Sequence, residues 1–207
     1  KPLENGIPNS LEVEGRENAV GAKSVATAGA LRGWSEALER YGTMSLADVM
    51  EPAIRHAARG FSATRYLAEC TAEAGADLIG DPAIAAIFMP GGKPLREGQR
   101  VVNAAAAETL RTIAKEGPSA FYHGDIGDIA ISALARKGGI LSKADFTTYK
   151  TIEREPVRGS YRGHDIVGPP PPSSGGVHVI QMLNILGGFD LAKLGFGGAE
   201  SMHLILE

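Results

Sequence analysis

The sequence predicts a helix-rich α+β fold whose strands come late in the chain. Three observations carry that prediction. The 207 residues are 43% apolar and 22% charged, the balance of a folded protein rather than a disordered one. From Ala30 to Tyr149 apolar residues recur at helical spacing between recognisable start and stop signals. Beyond Arg154 the pattern alternates with a period of two, until a proline-rich stretch returns the chain to helix. A chain of this length can bury one good core, so residues 1–207 read as a single domain.

Residues 1–24 are polar and rich in glycine and asparagine, and read as loop. Ala30 to Tyr41 carries Leu31, Trp34, Leu38 and Tyr41 at helical spacing, and Gly42 stops it. Ser45 followed by Asp48 looks like a capping box, opening a helix that closes at Gly60. Pro52 lies inside it, which predicts a kink or two short helices. Ser62 is the expected cap of the next helix, running through Leu67 and Cys70 to about Ala74. Asp81-Pro82 pairs a capping carboxylate with a proline at the first helical position and opens a short helix to about Phe88. Pro90 to Val102 reads as loop with a short strand. Asn103 caps a strong helix to Glu116, and Gly117 ends it. Ile126 to Lys137 is helical, with Ile129, Ala130, Ala133 and Leu134 as its apolar face. Gly138-Gly139 breaks it, and Ser142 with Asp145 forms a second capping box before a short helix. Arg154 to Ser160 and His164 to Pro169 then form a hairpin about Arg162-Gly163.

The next stretch is the most informative. Pro169 to Pro172 hold the chain extended and withhold backbone donors. Ser173 and Ser174 offer hydroxyls at a helix start, and Gly175 and Gly176 give a backbone without side-chain walls. An apolar-rich helix follows to Leu186. Such a helix start can hold an anion or simply be capped, and capping is the reading the residues favour. A last helix from Ala199 runs to the end of the sequence, which stops inside an apolar pattern. The chain begins with Lys1-Pro2-Leu3, without an initiator Met. Both ends read as cut, and the expectation is a single incomplete domain.

Composition and motifs exclude several classes. A net charge of −3 gives no electrostatic case for nucleic acid or an anionic membrane. No apolar run has membrane-spanning length. Cys70 is the only cysteine, so no intrachain disulfide can form and the compartment, periplasm or cytoplasm, stays open. His56, His123, His164, His178 and His203 show no metalloprotease spacing, so neither a metal nor another cofactor is expected. The glycine pairs at 91–92, 138–139, 187–188 and 197–198 fit turns better than a phosphate loop. Ser173 or Ser174 with His178 as base would lack an identifiable third group. Chemistry alone names no activity.

The motifs, taken together, resemble a known family. Pro170-Pro171-Pro172-Ser173-Ser174-Gly175-Gly176, followed by a helix with Gln181-Met182-Leu183-Asn184-Ile185-Leu186, is similar to a signature in the large subunit of gamma-glutamyltranspeptidases and related bacterial acylases. Tyr41-Gly42-Thr43-Met44, Glu51-Pro52-Ala53 and Ala58-Arg59-Gly60-Phe61 resemble an earlier block. Asn103 to Leu110 with Ile113-Ala114 and Gly117-Pro118, then Phe121-Tyr122-His123-Gly124, resemble two more. Gly138-Gly139-Ile140-Leu141 with Asp145 and Tyr149, and Pro156 with Gly159 and Tyr161-Arg162-Gly163, complete the set, in family order from about Gly29 onward.

The resemblance implies part of the large subunit of an N-terminal-nucleophile hydrolase with an αββα sandwich. A precursor of that kind cuts itself into large and small subunits and exposes a threonine, which acts as nucleophile and, through its α-amino group, as its own base. The acyl group, γ-glutamyl from glutathione-like substrates, passes to water or an amine. That threonine is expected outside this chain. Thr147-Thr148 precede the proline stretch and belong to a capped helix, so the chain alone is expected to carry no catalytic residue and no activity. Ser173, Ser174, Gly175 and Gly176 are the pocket-side candidates for substrate. Arg16-Glu17-Asn18-Ala19-Val20 imitates the family's carboxylate-gripping arginine segment but lacks its proline and lies too close to Gly29, so it reads as a loop coincidence, and whether Arg16 has any substrate role stays open. Ala28-Gly29 and Trp34 depart from the commoner wording and lean toward an acylase branch, so a cephalosporin-acylase-like amidase is the alternative. A non-catalytic helical binding module is the rival from another class. The expected partners are the small subunit and an acyl-amide substrate, with self-association of the chain through uncovered apolar surface.

Overall fold

The computed structural model describes residues 3–4, 7–8 and 14–207, with side chains from Gly15 onward. The loop reading of residues 1–24 lies partly outside the described residues. The chain begins with a short antiparallel pair, β1 (Leu3–Glu4) and β2 (Ile7–Pro8), and two 3-10 turns at Glu14–Arg16 and Ala22–Ser24. It is a helix-rich α+β structure with small sheets, and it divides into two compact units, Lys1–Thr151 and Ile152–Glu207.

The first unit is built of capped helices. α1 (Ala30–Tyr41) ends at Gly42. α2 (Leu46–Arg59) starts at Ser45, whose hydroxyl accepts from the Asp48 N–H at 3.1 Å. Pro52 does not split α2 into two short helices, one of the two outcomes its place predicts: the helix is continuous to Arg59. The bond that Pro52 cannot donate would have gone to Asp48, four residues back, and both residues are exposed, so water can serve that carbonyl. Gly60 closes α2 at a φ of 80°, where a side chain would be strained.

The cap of the next helix is also corrected. Ser62 belongs to β3 (Phe61–Ser62), which pairs antiparallel with β4 (Arg100–Val101). α3 (Arg65–Glu73) is capped two residues later, by the Thr64 hydroxyl accepting from Leu67 N–H at 3.1 Å. A short α4 (Gly75–Leu78) follows, then α5 (Pro82–Phe88), whose cap is Asp81 accepting from Ala83 and Ile84 N–H. Around β3 and β4 lies a small core of Ala63, Leu95 and Val101, flanked by Leu67, Ile87 and Phe88. Thr71, buried beside it, accepts from Leu95 N–H at 3.2 Å and donates to the Ala68 carbonyl at 2.9 Å, so its hydroxyl is satisfied.

α6 (Ala104–Glu116) is capped by Asn103 and packs against α2. α7 (Ser119–Tyr122) and α8 (Asp125–Arg136) pack next to it, and α9 (Lys143–Thr147) closes the unit. The Asp145 carboxylate accepts from the Ser142 backbone N–H and hydroxyl, both at 2.7 Å. Of the expected apolar face of α8, Ala130, Ala133 and Leu134 are half-buried but Ile129 is exposed; the buried residue is Gly127, held against the Phe121 carbonyl and the Phe146 ring. The aromatic centre is Tyr122, fully buried, with Phe121, Phe146 and Tyr149 around it at centroid distances of 5.1, 6.4 and 6.1 Å.

The second unit holds β5 (Val157–Tyr161) and β6 (His164–Gly168), paired antiparallel with Val157 opposite Gly168 and Tyr161 opposite His164. Arg162 (φ 50°) and Gly163 (φ 83°) make the two-residue turn, whose left-handed pair suits the twist of the strands. α10 (Gly175–Leu186) lies on this hairpin, followed by α11 (Leu191–Leu194) and α12 (Ala199–Leu206).

Candidate functional site

The candidate site is the start of α10, and three glycines set its position. A Cβ on Gly176 would meet Val157 Cγ2 at 2.7 Å, with the Pro169 carbonyl oxygen nearer still. A Cβ on Gly168 would meet the Gly176 Cα at 2.6 Å, and one on Gly159 would meet Ile180 Cγ2 at 2.7 Å. The helix therefore rests directly on the backbone of the hairpin. Gly176 is buried by this approach, whereas Ser173, Ser174 and Gly175 are exposed.

The lead-in differs from the sequence expectation. Pro169 to Pro172 do not all run extended: the Pro171–Pro172 peptide bond is cis, and the Ser173 N–H donates to the Pro170 carbonyl at 3.1 Å to close a turn. A cis proline at the third position is what this kind of turn takes. Capping is also different. Ser174 occupies the cap position, but its backbone is helical (φ −81°, ψ −19°) and its hydroxyl makes no capping bond. A serine oxygen reaches back over the first turn only from an extended backbone. What Ser174 supplies is its carbonyl, which accepts from the His178 N–H at 2.9 Å. The backbone donors of the first turn have no partner inside the helix, and two hydroxyls stand beside them uncommitted to it.

The structure does not assemble a serine–histidine pair here. No side-chain hydrogen bond joins His178 to Ser173 or Ser174 among the described residues, and His178 is exposed on the first turn. Arg16 is held elsewhere: its guanidinium forks onto the Asp77 carboxylate, with both bonds at 3.1 Å. Thr148 directs its hydroxyl to the Ala144 carbonyl at 2.7 Å, as a helix residue does. Cys70 is half-buried beside Tyr66, and its hydrogen bond holds the Tyr66 phenol above its ordinary pKa. Among the described residues no group of three or more His, Cys, Asp or Glu could hold a metal, and no helix is long and apolar enough to cross a membrane.

One feature of the site escaped the residue pattern. α10 is apolar nearly all round, which suits a helix covered on every side. Within its own unit only the side toward the hairpin is covered. Val179, Met182 and Ile185 stand on the other, between 44% and 59% exposed. The all-round apolar composition was the available signal.

Three comparisons with known proteins bear on the chain. An acylase proenzyme, ACY 1, of Pseudomonas sp. (strain V22) is 50% identical over 205 residues, covering 99% of this chain and 37% of its own length. A glutathione hydrolase proenzyme of Escherichia coli (strain K12) is 41% identical over 182 residues, covering 87% of this chain and 31% of its own length. The crystal structure of Helicobacter pylori gamma-glutamyltranspeptidase superposes with a TM-score of 0.87 at 32% identity, over 92% of this chain and 55% of that one. The chain thus spans about a third of the length of these curated relatives. The sequence profile described as gamma-glutamyltranspeptidase matches residues 8–207, and the chain belongs to that family.

Proposed function

We propose that the chain is the central and later part of the large subunit of an autoprocessed γ-glutamyl-transferring hydrolase. In the whole protein a threonine, exposed at the new N-terminus of the small subunit, attacks the γ-carbonyl carbon of a glutathione-like donor. Its own α-amino group takes the hydroxyl proton and passes it to the departing amine. Water or an acceptor amine then attacks the acyl ester and frees the threonine. The observation that carries this reading is agreement over most of the chain, 87% in sequence and 92% in fold, with enzymes described as glutathione hydrolase and gamma-glutamyltranspeptidase.

In this reading β5–β6 and α10 belong to one sheet and one helix layer of an αββα sandwich. The apolar side of α10 that carries Met182 and Ile185 supports a further layer lying over it. Ser173, Ser174 and Gly175 face the substrate pocket with the unpaired donors of the first turn, while Gly176 holds the helix start down on Gly168. The small subunit is the partner, and residues 1–207 alone are inactive.

A second reading is favoured by one observation. Identity to the acylase proenzyme, 50%, exceeds identity to the glutathione hydrolase, 41%. That reading keeps the nucleophile and replaces the γ-glutamyl donor by an acyl-amide of a cephalosporin type. The test is the full-length precursor, processed and assayed with a γ-glutamyl anilide and with an acylated cephalosporin side by side. Turnover of the anilide is expected. Turnover of the cephalosporin alone moves the assignment to the acylase, and turnover of neither overturns both.

A further inference from the structure

The first unit carries an open apolar groove that the chemistry at α10 does not use. Its walls are α1, α2 and α6, and its volume is about 730 Å³. Leu38, Met50 and Ile113 line its depth, while Trp34 and Tyr41 stand on its rim, 72% and 77% exposed. An exposed pair of large aromatics beside an apolar cleft marks an interaction surface rather than ordinary surface.

The groove is held in shape from behind. On the other side of α1 the Arg32 N–H donates to the Tyr122 hydroxyl at 3.0 Å, and that hydroxyl donates to the Ala28 carbonyl at 2.6 Å. The Arg32 guanidinium lies 4.6 Å from the centre of the Tyr122 ring. Glu36 accepts a hydrogen bond from Thr151. One face of α1 is thus fixed to the buried aromatic centre, and the face bearing Leu38, Trp34 and Tyr41 is presented outward without freedom to fold away.

The lining says what fits. A small-molecule pocket mixes apolar walls with a few convergent polar groups; the polar side-chain groups of this lining are the indole N–H of Trp34 and the phenol of Tyr41, both on the exposed rim. Among the described residues no charged one lines it, so it offers nothing to a charged occupant. The wall from Leu31 to Tyr41 spans eleven residues of helix, about 15 Å, which is roughly three turns. More than half of the length of the acylase and glutathione hydrolase relatives lies outside the part matched here.

We infer that this groove receives a helix of about three turns from the polypeptide outside residues 1–207, laying an uncharged apolar face between α1 and α2. The arrangement is helix-in-groove recognition, with anchors at i, i+3 or i+4, and i+7. Trp34 and Tyr41, themselves seven residues apart on α1, close over it. The inference rests on the proposal that this chain is part of a longer precursor.

The full-length precursor tests it. A photo-crosslinking benzoylphenylalanine is placed at Trp34 in one variant and at Tyr41 in another, and each is irradiated as a mixture of normal and 15N-labelled protein. Both positions are expected to crosslink to one segment outside 1–207, within the same molecule. Crosslinks that mix labels would give the groove to a second copy, and crosslinks confined to 1–207 would leave it unfilled; either overturns the inference. Hydroxyl-radical footprinting of the unmodified precursor needs no variant. Trp34 and Tyr41 should oxidise several-fold more slowly than in short peptides, and oxidation at the peptide rate overturns the inference. γ-Glutamyl turnover is measured on the same preparation. An active precursor with a freely oxidised Trp34 sinks the groove alone, and a protected but inactive one sinks the proposed reaction alone.

Discussion

The Tyr149 side chain fills the space that a side chain at Gly29 would need. A Cβ built there would lie 2.5 Å from Tyr149 Cζ, with the hydroxyl oxygen nearer still. Tyr149 cannot easily withdraw, because its ring stacks on the buried Tyr122 ring at 6.1 Å with only 7° between the planes. Tyr122 in turn bonds Ala28 and Arg32, the residues on either side of the start of α1. Gly29 is therefore required for close approach and not for its backbone angles, which are helical. Gly29→Ala should destabilise the protein by about 1–3 kcal/mol, read as a lower midpoint in urea. Adding Tyr149→Ala should cost less than the two single changes together, whereas strict additivity would show that the two residues do not meet.

Acid should weaken the protein through two caps. The bond from Lys137, then those from the Ile84 and Ala83 N–H groups, hold the Asp81 carboxyl below the usual carboxylate range. The Ser142 hydroxyl and backbone N–H do the same for Asp145. A lowered folded-state pKa means that the unfolded chain binds protons more readily. The stabilisation is therefore complete above the unfolded value of about 3.9 and is lost as pH falls through the lower folded one. Melting temperature should hold level from neutral pH to about pH 5 and fall below about pH 4. Asp81→Asn and Asp145→Asn should each lower it near neutrality and flatten the acid limb. An unchanged acid limb in the double variant would place the acid sensitivity elsewhere.

What the sequence made legible follows the range of the forces involved. The caps at Ser45, Asp81, Asn103 and Ser142 and the stops at Gly42, Gly60 and Gly117 act over three or four residues, and each stands where the pattern put it. Ser62 was misjudged because its pairing partner, Arg100, lies far along the chain. The strand takes Ser62 and leaves the cap to Thr64. Ile129 was misjudged because helical spacing shows that a helix has an apolar side, but tertiary contacts decide which residues are covered. At the start of α10 the helix was legible and the missing serine cap was not. The helical backbone of Ser174 sets its hydroxyl off the cap, and spacing carries no sign of it.

Two adjacent glycines at that site should behave oppositely. A Cβ on Gly176 would run into Val157 Cγ2 at 2.7 Å and into the backbone at Pro169 and Gly168. Gly176→Ala must push α10 off the hairpin and should cost about 1–3 kcal/mol. A Cβ on Gly175 would find only Ser173 Oγ at 3.7 Å, an ordinary contact. Gly175 is in the helix, so Gly175→Ala should be neutral or should stabilise by up to about 1 kcal/mol. Thermal melts of the two variants, made in the full-length protein, decide it. Equal losses would mean that the helix start is held less closely than the glycine contacts require.

The serines beside them separate structure from chemistry. An N-cap serine that bonds the first turn is worth ~1 kcal/mol, but neither Ser173 nor Ser174 makes such a bond to α10. Ser173→Ala and Ser174→Ala should therefore leave the melting temperature nearly unchanged, singly and together. Both hydroxyls are exposed next to the unpaired donors of the helix start. If they face the substrate pocket as proposed, the double alanine variant of the full-length enzyme should lose γ-glutamyl turnover while its melting temperature holds. A rise in KM with kcat preserved would assign them to binding that is equal in ground and transition states, and a fall in kcat to contacts made only in the transition state. A double variant that melts early but turns over normally in its folded fraction would return the serines to capping. One that does neither would remove them from the site.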